Sequence, residues 1–367
     1  MNEWLTPGLT ALVEAVVSKL CEGSSVVVRI PRLFPAGLES RVRAAARESG
    51  ETLRRIDPDE RSPARQLMSA LNPDDPALGA EINTACLLDK PDQEGMVFWL
   101  RLADTTRTTP WLKFLDEVAT LRRAHPDRLS PRLLLLLEEG ALTCAVGRKV
   151  GIEVLDADAH LDFIDLLLVA MHRARMTCGS GIKSQLVGQT CSHLSIWDFG
   201  LLDRLLDEPM ERLFQPGPVL MDYASELDWS PETTPDWTNG GLKTCNGTVR
   251  VHSSLAALRG DSQDLTSRVW SGQASVLMPI LETRRQEIVD AYWDILGACL
   301  PWKNLYEEWI QSPDDLELGE VDYLLSRSGV VSARVKAIKN ARNELSHLRS
   351  LPPSKALSSE IVSRFAR

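Results

Sequence analysis

Near the end of the chain, the stretch KNARNELSHLRSLPP (339–353) holds Arg342, Asn343 and His347 in an R-N-x-x-x-H pattern. An imidazole titrates near neutral pH and can take or give a proton. The planar arginine fork matches phosphoryl oxygens, and an asparagine amide can bond phosphate or orient a histidine. Together the three could work on a phosphodiester. The plain alternative is a solvated helix end. Of the six histidines, only His347 has an arginine five residues before it. On a helix Asn343 and His347 share a face, whereas Arg342 and His347 are about 140° apart. Arg342 falls inside the apolar stripe of Val331, Val335, Ile338, Leu345 and Leu348. It therefore needs a partner: Glu282 or Glu287 on the preceding long helix, or a second subunit.

Other constellations carry less. His172, Cys178, Cys191 and His193 could bind zinc tetrahedrally, but H-x5-C-x12-C-x-H fits no common finger, and small cysteines are frequent core residues. The acids of LDADAH and HLDFID (155–165) stand where a strand ends and a helix starts; they could serve a metal, or more simply cap the helix. No G-x-S-x-G elbow exists.

The elements that would position these residues follow from the apolar pattern. Residues 1–20 read as an amphipathic helix and SSVVVRIP (24–31) as a buried strand. A helix at 38–48 comes next. Strands at 51–58, 95–106, 132–138 and 149–158 follow, with helices at 111–124 and 161–175. Strands alternating with helices predict a parallel sheet covered on both faces. Residues 176–264, with QPGP, SPETTPDWTNGG and NGT, read as an irregular helical connector or lid. Beyond it the chain is all helical: a long helix over 268–296, shorter ones at LYEEWI and VDYLL, a second long one over 330–351 stopped by Pro352-Pro353, and a short closing helix. The predicted division is 1–175, 176–264 and 265–367.

The helix, strand, loop, helix order of the first module resembles the core of AAA and STAND nucleotide-binding domains. A phosphate loop needs glycines, a lysine and a Ser/Thr hydroxyl. Here β-like SSVVVRIP runs into RLFPAGLES, where only Gly37 remains and Glu39 and Ser40 stand near the lysine and hydroxyl positions. GSGIKS (179–184) has an isoleucine between glycine and lysine and no strand before it. Asp104 is followed by Thr105, where hydrolysing members of that family carry a second acid. The resemblance therefore implies a degenerate domain: a scaffold or partner-binding platform ahead of nucleotide binding, with ATP hydrolysis last.

Residues 265–367 resemble HEPN domains, the helical bundles of many prokaryotic toxin and defence nucleases, in two stretches. One is Arg342-Asn343-Glu-Leu-Ser-His347, which fits that family's R-x4-6-H pattern. The other is MPILETRRQEI (278–288), where the family places an acidic or polar residue facing the same site, here Glu282. The resemblance implies metal-independent RNA cleavage by 2′-hydroxyl attack, with His347 as general acid or base, Arg342 on the phosphoryl oxygens and Asn343 in support. It also implies two copies sharing one cleft, and no cofactor.

Composition sets outer bounds. The 367 residues predict two or three domains, and 44% apolar and 25% charged content is ordinary for a globular protein. No apolar run approaches a membrane span. The N-terminus lacks a basic signal region, and seven cysteines without a CxxC pair point to a reducing compartment, so a cytoplasmic protein with no membrane is expected; the Asn246 sequon then carries no meaning. Net charge is −10, yet residues 331–367 hold eight basic residues and two acids, a net of +6, leaving −16 for the remainder. That asymmetry favours RNA contact at one end. The combined expectation is a defence-type ribonuclease, dimeric through its helical end, with a partner protein on the α/β module; the alternative is a non-enzymatic scaffold or regulatory subunit.

Overall fold

The computed structural model describes residues 3–72, 82–88, 94–126, 128–142, 144, 146, 150–245, 247–304 and 307–363. Asn246, the first two residues of LYEEWI and the last four of the chain lie outside these. The chain forms two compact units.

The first unit comprises Met1–Asp165, Trp197–Phe199 and Thr234–His252. Its centre is a five-stranded sheet of β1 (Ser25–Arg29), β2 (Thr52–Arg55), β3 (Met96–Leu102), β4 (Arg132–Leu137) and β5 (Ile152–Asp156). The order is β2-β3-β4-β1-β5, and every pairing is parallel, with Val27 facing Leu135 on one side and Val154 on the other. Parallel strands covered on both faces must be apolar throughout, and Val26, Val27, Val28 and Leu133 through Leu137 are all buried. Alternate residues feed opposite faces. Val27, Phe98, Leu100, Leu133 and Leu135 pack with Trp111, Phe114 and Leu115 of α4 (Thr105–Ala124), beside α3 (Pro63–Leu71). On the other side α1 (Pro7–Cys21) lies along β1 and against α2 (Leu38–Glu48), burying Leu9, Leu12, Val16, Leu20, Val42 and Ala46. The antiparallel hairpin β6 (Leu242–Cys245) and β7 (Thr248–Val251) completes the unit. Lys243 of this hairpin is buried, donates to the Asp158 and Leu161 carbonyls at 2.7 and 2.6 Å, and has its pKa lowered by that burial.

The second unit is helical: Leu166–Ile196, Gly200–Thr233 and Ser253–Arg367. The chain crosses between units within α5 (Phe163–Cys178), and α6 (Ile182–Ser195), α7 (Phe199–Leu206), α8 (Met210–Leu213), α9 (Gly217–Glu226) and α10 (Ser253–Leu258) follow. The predicted 176–264 connector is therefore no module of its own; its helices and its hairpin fall into different units. The spine is α11 (Ser262–Ala291), 30 residues long, then α12 (Trp293–Gly297), α13 (Leu318–Arg327), α14 (Ala333–Ser346), α15 (Pro353–Ala356) and α16 (Ser359–Val362). Contact between α6 and α11 requires glycine: a Cβ on Gly272 would stand 2.6 Å from the Thr190 Cα. LYEEWI is not a helix in its described part. Trp309–Ile310 forms strand β9, paired antiparallel with β8 (Trp302–Lys303). Among the described residues no helix is long and apolar enough to cross a membrane.

Candidate functional site

In an open parallel sheet, ligands sit beyond the carboxyl ends of the strands where the order reverses. The first unit has a cleft of roughly 440 Å³ there, lined by the loop after β1 and by Arg101, Ala103, Glu138, Glu139 and Gly140. Its contents do not favour phosphate. The loop's Ile30, Arg32 and Phe34 N–H groups donate to the Leu137, Thr238 and Pro31 carbonyls, and Pro31 and Pro35 have no N–H to offer. Trp4 pins the loop by donating from Nε1 to the Ala36 carbonyl at 2.8 Å. Both arginines of the cleft face acids, Arg101 with Glu138 at 2.5 Å and Arg32 with Glu139 at 3.8 Å. Asp104, the single acid at the end of β3, is the N-cap of α4, accepting from the Arg107 N–H at 2.8 Å. The acids at the end of β5 are likewise spent on structure: Asp156 pairs with Arg29 at 2.5 Å, Asp158 accepts from the Trp237 indole at 2.6 Å, Asp162 caps α5 through the Ile164 N–H, and Asp165 accepts from the Gly8 N–H at 2.8 Å.

The second unit carries the R-N-x-x-x-H residues at the end of α14. This helix stops at Ser346, five residues sooner than the prolines suggest. His347 is its C-cap and Leu348 adopts a left-handed conformation, φ 58°. The Arg349 N–H bonds the Glu344 carbonyl at 3.0 Å and the Leu348 N–H bonds Leu345 at 3.1 Å. This is a Schellman turn with leucine where glycine is usual. Leu348, past the helix end, and Val331, ahead of the Ser332 N-cap, both drop out of the expected apolar stripe and stand 62% and 72% exposed.

Two residues of α11 fix this turn. Gln273 is fully buried; its Nε2 donates to the Leu351 carbonyl at 2.9 Å and its Oε1 accepts from the Leu351 N–H at 2.6 Å. Trp270 donates from Nε1 to the Leu345 carbonyl at 2.7 Å. The turn is held from both sides while Asn343 and His347 remain exposed.

Arg342 does have a partner, but neither expected one. It donates to Glu317 at 2.6 Å. Glu282 is taken by Arg285 at 2.7 Å and Glu287 by Arg284 at 2.6 Å, each three residues away on α11. Arg285 also donates to the Asp314 and Leu316 carbonyls at 2.9 and 3.0 Å. Glu282 thus reaches the 314–317 segment through Arg285, and Arg342 reaches it through Glu317. The Arg342–Glu317 pair is 37% and 61% exposed. A pair of that exposure contributes about 0–1 kcal/mol, so an incoming phosphate competes with Glu317 at small cost.

No protein-family model matches the chain, and no curated protein matches it.

The expected basic surface at 331–367 is partly self-neutralised. Lys339 pairs with Asp322 at 2.5 Å and Arg349 with Glu344 at 3.6 Å, and Arg334 donates to the Glu360 carbonyl at 3.1 Å. Asn343 lines a cleft of roughly 510 Å³ between α14 and the 351–361 segment, together with Glu344 and Glu360. The candidate zinc ligands do not assemble. His172 is exposed on α5 and Cys191 is fully buried on α6, where burial pushes its thiol pKa up. Among the described residues no group of three or more His, Cys, Asp or Glu is placed to hold a metal ion. Sequence reasoning missed Gln273, Trp270 and Glu317. Only Glu317 left a local signal, the E-L-G-E capping box that opens α13.

Proposed function

We propose that the second unit is a HEPN-like, metal-independent endoribonuclease centred on Arg342 and His347, and that the α/β unit is a degenerate AAA/STAND-type module that docks or senses a partner protein without hydrolysing nucleotide. The supporting observation is the end of α14: a weakly held arginine in its last turns and an exposed histidine at its C-cap, where the chain turn is fixed by bonds from Gln273 and Trp270. Preorganised groups of this kind act on charge that develops during reaction. The RNA 2′-hydroxyl attacks the adjacent phosphorus, a bond from 2′-O to phosphorus forms, and the bond to the 5′-oxygen breaks. One imidazole takes the 2′-hydroxyl proton and another protonates the leaving 5′-oxygen. Each chain offers one His347, so the pair comes from two copies. Exposed Leu348, next to His347, supplies apolar surface for a second bundle to cover. Cytoplasmic action goes with an RNA substrate.

A second reading is favoured by the Arg342–Glu317 pair and by the neutralised lysine and arginines around it: a non-enzymatic scaffold or regulatory subunit whose α14 end is structural. Incubating total tRNA with purified protein in EDTA separates the two. The nuclease reading expects cleavage by wild type and loss by at least a hundredfold in both His347→Ala and Arg342→Ala, in line with the usual size of acid–base and electrostatic contributions of roughly 10²–10³. An uncut pool at high protein concentration favours the scaffold.

A further inference from the structure

Residues 351–363, with α15 and α16, form a strap that buries Leu351, Ala356 and Ile361, and α16 lies against both α11 and α14. The seat of this strap is made by side chains of those two helices. Gln273 takes both backbone groups of Leu351. Arg284, only 7% exposed, donates from Nε to the Ile361 carbonyl and from Nη2 to the Val362 carbonyl, each at 3.0 Å. Arg334 donates from Nε to the Glu360 carbonyl at 3.1 Å and from Nη2 to the Ser363 carbonyl. All of these bonds join the strap to α11 or α14, so the same seat fits the strap of any copy of the chain.

The link from α14 to the strap, residues 347–350, is short and strained. Its turn needs Leu348 at φ 58°, a left-handed conformation that favours glycine. Packing does not repay that strain, because the Leu348 side chain is 62% exposed. Nor does the local sequence call for a turn: from Ala333 to Leu351 there is neither glycine nor proline. A helix continued to Ser350 would set Leu348 on the stripe of Val335, Ile338 and Leu345, and Pro352 would still end it. Straightened in this way, α14 carries the strap away from its own seat.

Short hinges under strain invite exchange of an element between copies, since the closed and exchanged forms share every contact except the hinge. We propose that the strap is exchangeable: in a dimer of this chain, α14 runs straight through Leu348, and residues 351–363 of each copy occupy the α11–α14 seat of the other. The closed strap is not packed flush on α14, for a cleft of roughly 510 Å³ separates them, and sparse packing eases local opening. The exchange does not rest on the ribonuclease reading, and it differs from a dimer of bundles lying side by side.

The test refolds the full chain from denaturant, at low and at high concentration, as a mixture of unlabelled and heavy-nitrogen-labelled protein. Light scattering after size exclusion separates monomer from dimer, and an amine crosslinker then joins Lys355 of the strap to Lys336 of α14. Lys336 is exposed and adjoins Ala337, which lines the same cleft as Lys355. Monomer gives links between like isotopes only, whereas dimer formed at high concentration gives links between unlike isotopes as well. Leu348→Gly relieves about tenfold at each of two hinges and so raises the dimer dissociation constant by about a hundredfold. Deleting Leu348 and Arg349 leaves a link too short to turn and yields dimer at every concentration; if that variant does not fold, Leu348→Gly decides. A chain that stays monomeric throughout, a Leu348→Gly dimer as tight as wild type, or a dimer with like-isotope links alone overturns the exchange. The last result leaves a side-by-side dimer and the nuclease untouched, and unlike-isotope links without RNA cleavage leave the exchange standing and the nuclease not.

Discussion

Replacing Gln273 by methionine tests how the candidate site is held. Methionine keeps the length and helix propensity of glutamine but can neither donate to the Leu351 carbonyl nor accept from its N–H. Gln273 is fully buried and makes both bonds, at 2.9 and 2.6 Å. Each backbone group left without a partner in a buried site costs about 1–3 kcal/mol, so the substitution costs about 2–6 kcal/mol, partly offset by burying an apolar side chain. Taking about 3 kcal/mol, a folding unit of roughly 150–250 residues loses about 6–12 °C in Tm. Differential scanning calorimetry resolves the second unit's transition from the first, which stays in place because Gln273 belongs to the second unit alone. Hydrogen exchange at the Leu351 amide accelerates in the same variant. A fall of less than 2 °C, with Leu351 still protected, would refute the clamp and with it the claim that α11 fixes the turn carrying His347.

Other outcomes follow from the same physical arguments. Leu348→Gly removes a left-handed leucine that is mostly solvent-exposed; the conformational relief of about 1–2 kcal/mol, less the added chain entropy of about 0.5–1 kcal/mol, raises the second unit's Tm by about 1–4 °C, and a lower Tm contradicts the reading of this turn. Burial lowers the pKa of His160 below 6.5. The unfolded chain therefore binds more protons in the window below 6.5, and the first unit loses stability as pH falls through that window. His160→Gln flattens that slope, and an NMR titration placing His160 at or above 6.5 would count against it. Exposed Cys21 and Cys86 react with a thiol reagent in the folded protein, whereas Cys191, buried and with its pKa pushed up, reacts only after unfolding; prompt labelling of Cys191 would show that α6 is not packed as described.

The sheet was legible because its strands are short apolar runs, and all five stand where the pattern puts them. Their spatial order was not, since β1 lies between two strands more than 100 residues later in the chain. Two helix boundaries shifted for local reasons. The proline at 110 hid the first turn of α4, which Asp104 closes from its N-cap position. The pattern carries the end of α14 on to Leu351 because the turn at Leu348 has no glycine to announce it. The pairing of Arg342 shows the deeper limit. Glu282 and Glu287 looked available from the neighbouring helix, but arginines three residues away on that same helix reach them first. Glu317, 25 residues before Arg342, is brought close only by the packing of α13 on α14. Local chemistry shows in a sequence; the partner supplied by tertiary packing does not.

The most direct test of the ribonuclease reading uses an RNA oligonucleotide with one mapped cleavage position and its twin carrying a 2′-deoxy sugar there, both incubated with the full-length protein in EDTA. The account predicts that only the ribose form is cut, leaving a 2′,3′-cyclic phosphate and a 5′-hydroxyl, and that His347→Ala cuts neither. Cleavage of the 2′-deoxy twin, or undiminished cleavage by His347→Ala, would contradict it.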